Sequence, residues 1–192
     1  MRLGELPSPL DSAALDGLIP GAGDWQVELG FGKGRFLLHR AALDPGVRFL
    51  GVELAAEYYR LAARRAQRRG LGNLALVHGD ALFLLSAVLP REFASAVHVY
   101  FPDPWPKTRH HKRRLFDAET VDLVLGLLRP GGVLFFATDF LEYGAQVESI
   151  LAGYPGIGLR PLASWPDGAR TNYEAKYLAE GREIYEVRFR KS

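Results

Sequence analysis

Short apolar runs of strand length alternate along the chain with longer amphipathic segments of helix length. This pattern predicts six strands, at residues 25–29, 48–53, 74–78, 94–101, 133–137 and 182–190. The predicted helices lie between them, at residues 35–43, 55–69, 81–89, 113–128 and 141–151. Repeated strand–helix units of this kind predict an α/β protein in which helices cover both faces of a mostly parallel sheet.

Ligands of such sheets bind beyond the carboxyl ends of the strands, so the residues after each predicted strand are the candidates for function. The first strand runs into Glu28-Leu29-Gly30-Phe31-Gly32-Lys33-Gly34. Gly30 and Gly32 allow positive φ and a close approach of a ligand to the backbone. The spacing is G-x-G-x-G rather than the G-x-G-x-x-G of dinucleotide sites, and a tight turn without a ligand also needs glycine. Both interpretations of this loop stay open.

Acidic residues follow the next two predicted strands. Glu53 ends the second strand, where an acid typically accepts hydrogen bonds from the ribose hydroxyls of an adenosine cofactor. Alone, Glu53 could equally be an exposed or helix-capping glutamate. Asp80 follows the third strand, and it could accept from an adenine amino group, cap the helix that begins at residue 81, or do both. Together with the glycine loop, these acids favour a cofactor site.

A proline-rich loop follows the fourth predicted strand. Its sequence, Pro102-Asp103-Pro104-Trp105-Pro106-Lys107, has three prolines in five residues, which fix φ and remove backbone donors. Such a loop presents Asp103, Trp105 and Lys107 rigidly. A carboxylate beside a large aromatic ring suits the binding of a flat base. The alternative is a surface turn stiffened by proline.

A basic run comes directly after this loop. Residues 105–115 hold five cations and no acid, more than the net charge of +2, so the remainder of the chain is net acidic. The cations are Lys107, Arg109, Lys112, Arg113 and Arg114, with His110 and His111 between them. Charge runs are usually solvated, but this one adjoins the candidate site and therefore favours nucleic acid. A metal site at His110 and His111 is disfavoured, because adjacent positions do not converge on one helix face.

Two further polar segments follow later strands. Thr138 and Asp139 come after the fifth strand, and Arg170-Thr171-Asn172-Tyr173-Glu174 forms a predicted polar loop before the last one. A carboxylate can accept from both N1–H and the exocyclic amino group of guanine. Asp139 or Glu174 could supply it, and either could instead be a helix cap or a surface acid.

Length and composition limit the remaining alternatives. The 192 residues, 48% of them hydrophobic, predict a single domain over residues 1–192, in which residues 1–24 form a short N-terminal extension. The chain has no cysteine, which excludes disulfides, thiolate metal sites and a cysteine nucleophile. The longest stretch without charge, residues 149–159, is too short to cross a membrane, and no secretory signal is visible. We therefore expect a cytoplasmic protein.

The loop and basic run together, FPDPWPKTRHHKRRL, resemble the signature of the tRNA (guanine-N7)-methyltransferases nearly throughout. VELGFGKGRFLL is similar to the cofactor loop of that family, and TNYEAKYLAEGREIYEVRFRK to its C-terminal segment. The resemblance implies a class I methyltransferase Rossmann-like fold, with a mostly parallel seven-stranded sheet and an antiparallel last strand. It implies S-adenosylmethionine as methyl donor, S-adenosylhomocysteine as product, and N7 of a guanosine in the tRNA variable loop as acceptor. We expect tRNA as partner, no membrane or metal, and a monomer or homodimer.

The resemblance also implies roles for single residues. The cofactor-binding set is Glu28, Gly30, Gly32, Glu53, Asp80 and Asp103, and Asp103 is also the expected catalytic residue. The substrate-binding set is Lys107, Asp139, Thr171, Asn172, Tyr173 and Glu174. The RNA-contacting set is Arg109, His110, His111, Lys112, Arg113 and Arg114. The usual family segment T-K-F-E reads Thr171-Asn172-Tyr173-Glu174 here, which removes a cation at residue 172.

The chemistry of guanine N7 agrees with this assignment. N7 carries a lone pair and no proton, so methyl transfer needs in-line placement rather than a general base. A fixed carboxylate at Asp103 would stabilise the positive charge that spreads into the base, by about 2–4 kcal/mol. A nicotinamide oxidoreductase predicts G-x-G-x-x-G, which is lacking at this loop. A non-catalytic RNA-binding module explains the basic run but not the acids, and a methyltransferase for another RNA is the nearest alternative.

Overall fold

Seven strands form one sheet in the computed structural model, which describes residues 10–107, 109, 114–159 and 168–192, with only the backbone of Ser12. The strands are β1 Trp25–Leu29, β2 Arg48–Glu53, β3 Leu74–His78, β4 Ala94–Tyr100, β5 Leu128–Thr138, β6 Gly156–Leu159 and β7 Tyr185–Lys191. Their order across the sheet is β3-β2-β1-β4-β5-β7-β6. β1 to β5 pair in parallel, whereas β7 is antiparallel to both of its neighbours. The expected fold class is confirmed.

The helices connect these strands, and several begin at a side-chain cap. They are α1 Ser12–Leu18, α2 Arg35–Leu43, α3 Ala56–Arg68, α4 Ala81–Phe83, α5 Ala118–Leu127, α6 Leu141–Leu151 and α7 Asn172–Ala179. α4 continues into a π-helical turn, Leu84–Val88. Asp80 accepts from the Phe83 amide (3.0 Å) and Asp117 accepts from the Thr120 amide (3.0 Å). Each such cap contributes on the order of 1 kcal/mol to helix stability.

The two faces of the sheet differ in polarity because strand side chains alternate. Val27, Leu50 and Val97 are fully buried on one face, in the main core together with side chains of α1 and α4 to α6. The other face, covered by α2 and α3, carries polar side chains between apolar ones. There His98 bonds to Gln26 (3.0 Å) and to the Tyr100 hydroxyl (2.9 Å), and burial lowers the pKa of His98 to about 3. The candidate acid Glu28 lies on this second face.

α2 packs close to the sheet at Gly51 in β2. A Cβ at this position would lie 2.3 Å from Cδ2 of Leu37 and 2.7 Å from Cδ1 of Phe31. Real carbon atoms do not approach so closely, so any larger residue would push α2 away from β2. The glycine therefore sets the position of the loop and helix that follow β1.

The periodicity predicted most elements correctly and missed others. The helix predicted over residues 113–128 begins only at Ala118, because the Asp117 carboxylate caps it there. Residues 114–117 are not helical, and residues 110–113 lie outside the described residues. α1, β6 and α7 were not expected, and α7 occupies the predicted polar loop. Thr171 and Glu174 are the two ends of a capping-box pattern, which was the signal for α7. Across the described ranges, no helix combines the length and the apolar character that a membrane span requires.

Candidate active site

The glycine-rich loop leaves an open space at the end of β1. Gly30 and Gly32 have φ of +73° and +54°, and a Cβ at either position would meet no atom within 4 Å. The Gly30 amide donates to the Val52 carbonyl (2.9 Å), which fastens the loop to β2. The loop therefore combines a backbone conformation that favours glycine with room for a ligand beside it.

Glu28 lies on β1 directly before this loop and is 2% exposed. One of its carboxylate oxygens, Oε2, has no hydrogen-bond partner among the described residues. The pKa of Glu28 is raised from its usual 4.5 to about 8, mainly by burial and in addition by the nearby charge of Glu53, while a hydrogen bond from the Leu37 backbone acts in the opposite direction. A buried carboxyl with a free oxygen is costly unless a ligand completes its bonding.

Glu53 at the end of β2 supports the glycine loop. Its Oε2 accepts from the Gly32 amide (2.7 Å) and its Oε1 from the Ala55 amide (2.8 Å). Asp80, two residues beyond β3, is exposed and caps α4. β1, β2 and β3 are neighbours in parallel, so Glu28, Glu53 and Asp80 reach the same edge of the sheet. The structure places these three predicted acids along one edge of the sheet, with Glu28 and Glu53 close enough to interact electrostatically.

The proline-rich loop after β4 has a constrained backbone. Phe101 and Trp105 have φ of 53° and 41°, a conformation that non-glycine residues seldom adopt. Asp103 is exposed between them, and its charge raises the pKa of Tyr173, after the larger effects of burial, Tyr58 and Tyr177. Besides burial, the main cause, the charge of Asp103 also raises the pKa of Tyr143 on α6, so this carboxylate acts on both α6 and α7. Trp105 is partly buried and Lys107 is exposed.

Arg114 holds the proline-rich loop in place. Its side chain is 0% exposed, and its Nε donates to the Pro104 carbonyl (2.8 Å). The guanidinium also donates to Gln146 and to Glu142 (3.2 Å), and it lies 4.8 Å from the centre of the Tyr143 ring. This differs from the expectation that Arg114 contacts RNA, because a buried guanidinium with these acceptors cannot reach a phosphate. Its observed contacts are structural.

The remaining predicted site residues come from β5 and α7. Asp139 forms an ion pair with Arg182 (2.9 Å), and its side chain is 18% exposed. Thr171 caps α7 by accepting from the Glu174 amide (3.0 Å), while Asn172 and Tyr173 are exposed on the first turn. Glu174 is 5% exposed, and both of its carboxylate oxygens accept from Arg170. Its charge is thus already paired within the protein.

An aromatic cluster borders this site, and of its members only Tyr173 was among the site residues predicted from the sequence. Phe101 packs against Tyr177 of α7 with ring centres 5.6 Å apart, and Tyr177 stacks on Tyr173 at 6.2 Å. Tyr58 at the start of α3 also bonds to Tyr173, which is one cause of the raised pKa of Tyr173. The cluster connects the proline-rich loop, α7 and α3 across the site. Tyr173 is 48% exposed and presents an aromatic surface to solvent.

The RNA-contacting set is only partly described. Arg109 is exposed, whereas His110, His111, Lys112 and Arg113 lie outside the described residues. Within the described ranges, no group of three or more His, Asp or Glu side chains has an arrangement that could hold a metal ion.

Comparison with known proteins identifies the family. Residues 23–187 match a family described as putative methyltransferase. The chain is 36% identical over 167 residues to the tRNA (guanine-N(7)-)-methyltransferase of Nitrosococcus oceani, covering 86% of this chain and 71% of the relative. It is 35% identical over 196 residues to the enzyme of that name from Geobacter metallireducens, covering 98% and 90%. For the relative from Treponema pallidum, 37% identical, the match spans 66% of its length.

This chain belongs to the tRNA (guanine-N7)-methyltransferase family. Solved structures with a similar fold include a 30S ribosomal A1408 methyltransferase from an uncultured bacterium, with a TM-score of 0.69, 16% identity and 95% coverage of each chain. An S-adenosylmethionine-dependent O-methyltransferase from Thermotoga maritima has a TM-score of 0.61 and 16% identity, covering 93% of this chain and 62% of that one. These neighbours confirm the class I methyltransferase fold.

The residues of this family member fit the methyl donor that the fold implies. S-adenosylmethionine carries positive charges, ribose hydroxyls and an adenine amino group. The site offers three carboxylates at adjacent strand ends, one of them with an unpartnered buried oxygen, beside the open space at Gly30 and Gly32. The roles of the individual residues stay predictions.

Proposed function

We propose that this chain transfers the methyl group of S-adenosylmethionine to N7 of a guanosine in tRNA. The observation that carries the proposal is the placement of Glu28, Glu53 and Asp80 along the edge of the sheet that carries the open glycine loop, together with a constrained loop that presents Asp103. Relatives at 35–37% identity carry the name of this activity. The tRNA variable loop is the proposed position of the guanosine.

Each of the three carboxylates binds a different group of the donor. S-adenosylmethionine, when bound, supplies an electrophilic methyl group on a sulfonium ion. Glu28 offers its unpartnered Oε2 to a positive group of the donor, which compensates a buried charge. Glu53 accepts from ribose hydroxyls while it keeps the Gly32 amide in position. Asp80 accepts from the adenine amino group at the start of α4.

Asp103 is the proposed catalytic residue. The guanine nitrogen N7 already has a free lone pair, so no proton has to be removed before attack. The carboxylate of Asp103 stabilises the positive charge that builds up on the base, an effect of about 2–4 kcal/mol for a fixed charged group. Arg114 contributes indirectly, because its bond to the Pro104 carbonyl limits movement of the residue next to Asp103.

The surface around Asp103 offers contacts for the guanosine. Lys107 is exposed and suits a phosphate, while Thr171, Asn172 and Tyr173 lie on the first turn of α7. Asp139 is the stronger candidate for the guanine N1–H and amino group, because it is more exposed than Glu174 and its ion pair with Arg182 uses Oδ2. Both oxygens of the buried Glu174, by contrast, accept from Arg170. The exposed ring of Tyr173 provides a stacking surface for a flat base.

Mapping of the modified atom tests this proposal. Purified protein is incubated with labelled S-adenosylmethionine and bulk tRNA, and the nucleosides are identified by mass spectrometry together with the position of the modified base. We expect 7-methylguanosine from a single position in the variable loop. Label in another nucleoside or another ring atom would contradict the proposal.

Variants at Asp103 test the catalytic role. Asp103→Ala is expected to lower the turnover number about 30-fold to 1,000-fold, in proportion to the loss of a fixed charge, while the thermal melting temperature stays close to that of the parent. Asp122→Ala, which removes an exposed acid from α5, serves as the matched control and should retain activity. Near-normal turnover in Asp103→Ala would exclude the role.

A further inference from the structure

A cavity with cationic walls lies on the α2 and α3 side of the sheet, next to the site described above. Its volume is about 480 Å³. The charged or titratable side chains that line it are Arg35, His39, Arg65, Arg69 and Arg170. Of the residues that the structure describes, no Asp or Glu belongs to the lining. We call this surface the arginine groove.

The positive charge of the groove comes from three of these arginines. Arg170 is paired with Glu174 and Glu186, so its charge is compensated. Arg35, Arg65 and Arg69 are exposed, and within the described part of the chain none of them forms an ion pair with a carboxylate. Arg65 donates to the Lys33 carbonyl (3.1 Å), a neutral acceptor that orients the side chain without cancelling its charge.

The arrangement on α3 directs two arginines into the groove. Arg69 is the C-cap residue of α3 and keeps a helical backbone conformation, so it lies on the same side of the helix as Arg65, four residues earlier. Arg60 and Arg64 also lie on α3, but they point roughly 140° and 100° away from Arg65, at 100° per residue. Neither Arg60 nor Arg64 lines the groove. The helix thus offers matched arginines inside and outside the groove.

The groove is continuous with the candidate active site at two points. Gly34, the last residue of the glycine-rich loop, lines it, and so does Asn172 from the proposed substrate segment. A polymer whose target nucleotide lies at the site would therefore pass its neighbouring residues along this surface. Closely spaced uncompensated guanidinium groups suit a chain of phosphates, because each contact releases condensed counterions.

We propose that the arginine groove binds the phosphate backbone of the tRNA at nucleotides near the methylated guanosine. This inference rests on the proposed function, and it adds an RNA contact on a different element from the basic run at residues 107–114. Arg65 and Arg69 supply phosphate contacts, and Arg35 extends them towards the glycine-rich loop.

Salt-dependent binding of tRNA tests the proposal. The full-length chain, the double variant Arg65→Ala/Arg69→Ala and the control Arg60→Ala/Arg64→Ala are titrated against unmodified tRNA between about 0.05 and 0.5 M KCl. Loss of two phosphate contacts should make the slope of log K against log salt about 1.5 less steep, and should weaken binding roughly tenfold near 0.1 M. The control should keep the parent slope. Arg65→Lys/Arg69→Lys retains the charges and should recover most of the slope.

Other outcomes overturn the proposal. An equal loss in the groove variant and the control would mean that the whole helix acts as a diffuse positive charge. Weaker binding with an unchanged salt slope would mean that no phosphate contact was removed. Melting temperature and S-adenosylhomocysteine affinity are measured on every variant, and they report whether the removal of Arg65 has disturbed the glycine-rich loop. If either value falls, the single variant Arg69→Ala must still make the slope of log K against log salt less steep.

The test separates failure of the groove from failure of the proposed function. If the parent forms 7-methylguanosine in tRNA while the groove variant keeps the parent slope, only the groove proposal is refuted. If the parent binds tRNA through the groove and forms no 7-methylguanosine, the proposed reaction is refuted and the RNA contact stands.

Discussion

Replacement of Glu28 by glutamine should stabilise the fold, and the gain should grow with pH. The folded-state pKa of Glu28 is about 8, against a usual value of 4.5, because the carboxyl is buried and lies near Glu53. Between these two values the folded protein holds a proton that the unfolded chain has released. The contribution of Glu28 to folding stability therefore falls as pH rises from 4.5 towards 8, and it stays unfavourable above pH 8. Glutamine has no charge to bury.

The magnitude follows from the pKa difference. Each pKa unit corresponds to about 1.4 kcal/mol. The buried carboxyl of Glu28 therefore lowers the free energy of unfolding by roughly 3 kcal/mol at pH 7 and by about 5 kcal/mol above pH 8. For a domain of this size, 1 kcal/mol changes the melting temperature by about 2–4 °C. We expect Glu28→Gln to melt roughly 6–12 °C higher at pH 7, and to differ from the parent by less than about 3 °C at pH 5.

Thermal unfolding monitored by circular dichroism at pH 5, 6, 7 and 8 measures this difference. Glu119→Gln, which removes the charge of an exposed glutamate from the first turn of α5, is the matched control. Its effect should stay below about 1 kcal/mol and be nearly the same at each pH above 5. A gain in Glu28→Gln that stayed constant or shrank as pH rose would refute the reasoning.

Binding of the donor gives a second measurement on Glu28, which rests on the proposed function. A cationic ligand beside Oε2 lowers the pKa of the carboxyl, so the parent should release close to one proton when S-adenosylmethionine binds at pH 7. Calorimetric titrations in buffers of different ionisation enthalpy count that proton. Glu28→Gln should release none and should bind the donor more weakly. Equal proton release in both proteins would exclude Glu28 as its source.

Three further changes test the structural contacts around the site. Arg114→Ala should destabilise the fold by about 2–4 kcal/mol in chemical denaturation, because it leaves the Pro104 carbonyl without its donor and removes a buried guanidinium; wild-type stability would contradict its supporting role. Gly51→Ala should cost about 1–3 kcal/mol through overlap with α2, whereas Gly46→Ala, with no atom within 4 Å of the added carbon, should cost less than about 1 kcal/mol; similar losses in both would refute the packing argument. Thr171→Ala should cost about 1 kcal/mol by loss of the α7 cap, and Thr171→Ser should recover most of it.

The positions of the candidate acids were predictable because they depend on local order along the chain. Apolar periodicity located β1 to β3 with the bounds that the structure has, so the residues after them were known in advance to lie at one edge of a parallel sheet. Glu53 and Asp80 follow from that alone, whereas the role of Glu28, which lies inside β1, was implied only by the family resemblance. The sequence also predicted the backbone conformation of the loop, because glycine adopts a positive φ more readily than any other residue.

Contacts between distant parts of the chain were not predictable. Arg114 belongs to a run of charges that indicated an RNA surface, yet it is buried against α6 and the proline-rich loop. Glu174 was expected to face a ligand, yet it pairs with Arg170, which also binds Glu186 on β7. Neither residue type nor spacing reveals whether a charged side chain is solvated or paired, because its partners come from other elements.

By itself the sequence determined the α/β class, the edge of the sheet that carries the acids, and the glycine-rich and proline-rich loops, because periodicity and backbone restriction act over a few neighbouring residues. Only the tertiary structure decided which charges are available. It pairs Arg114 and Glu174 internally, leaves an oxygen of Glu28 without a partner, and gathers Arg35, Arg65 and Arg69 along one groove. The physical reason is that burial and pairing depend on how α2, α3, α6 and α7 pack around the sheet, and that packing brings together residues far apart in the chain.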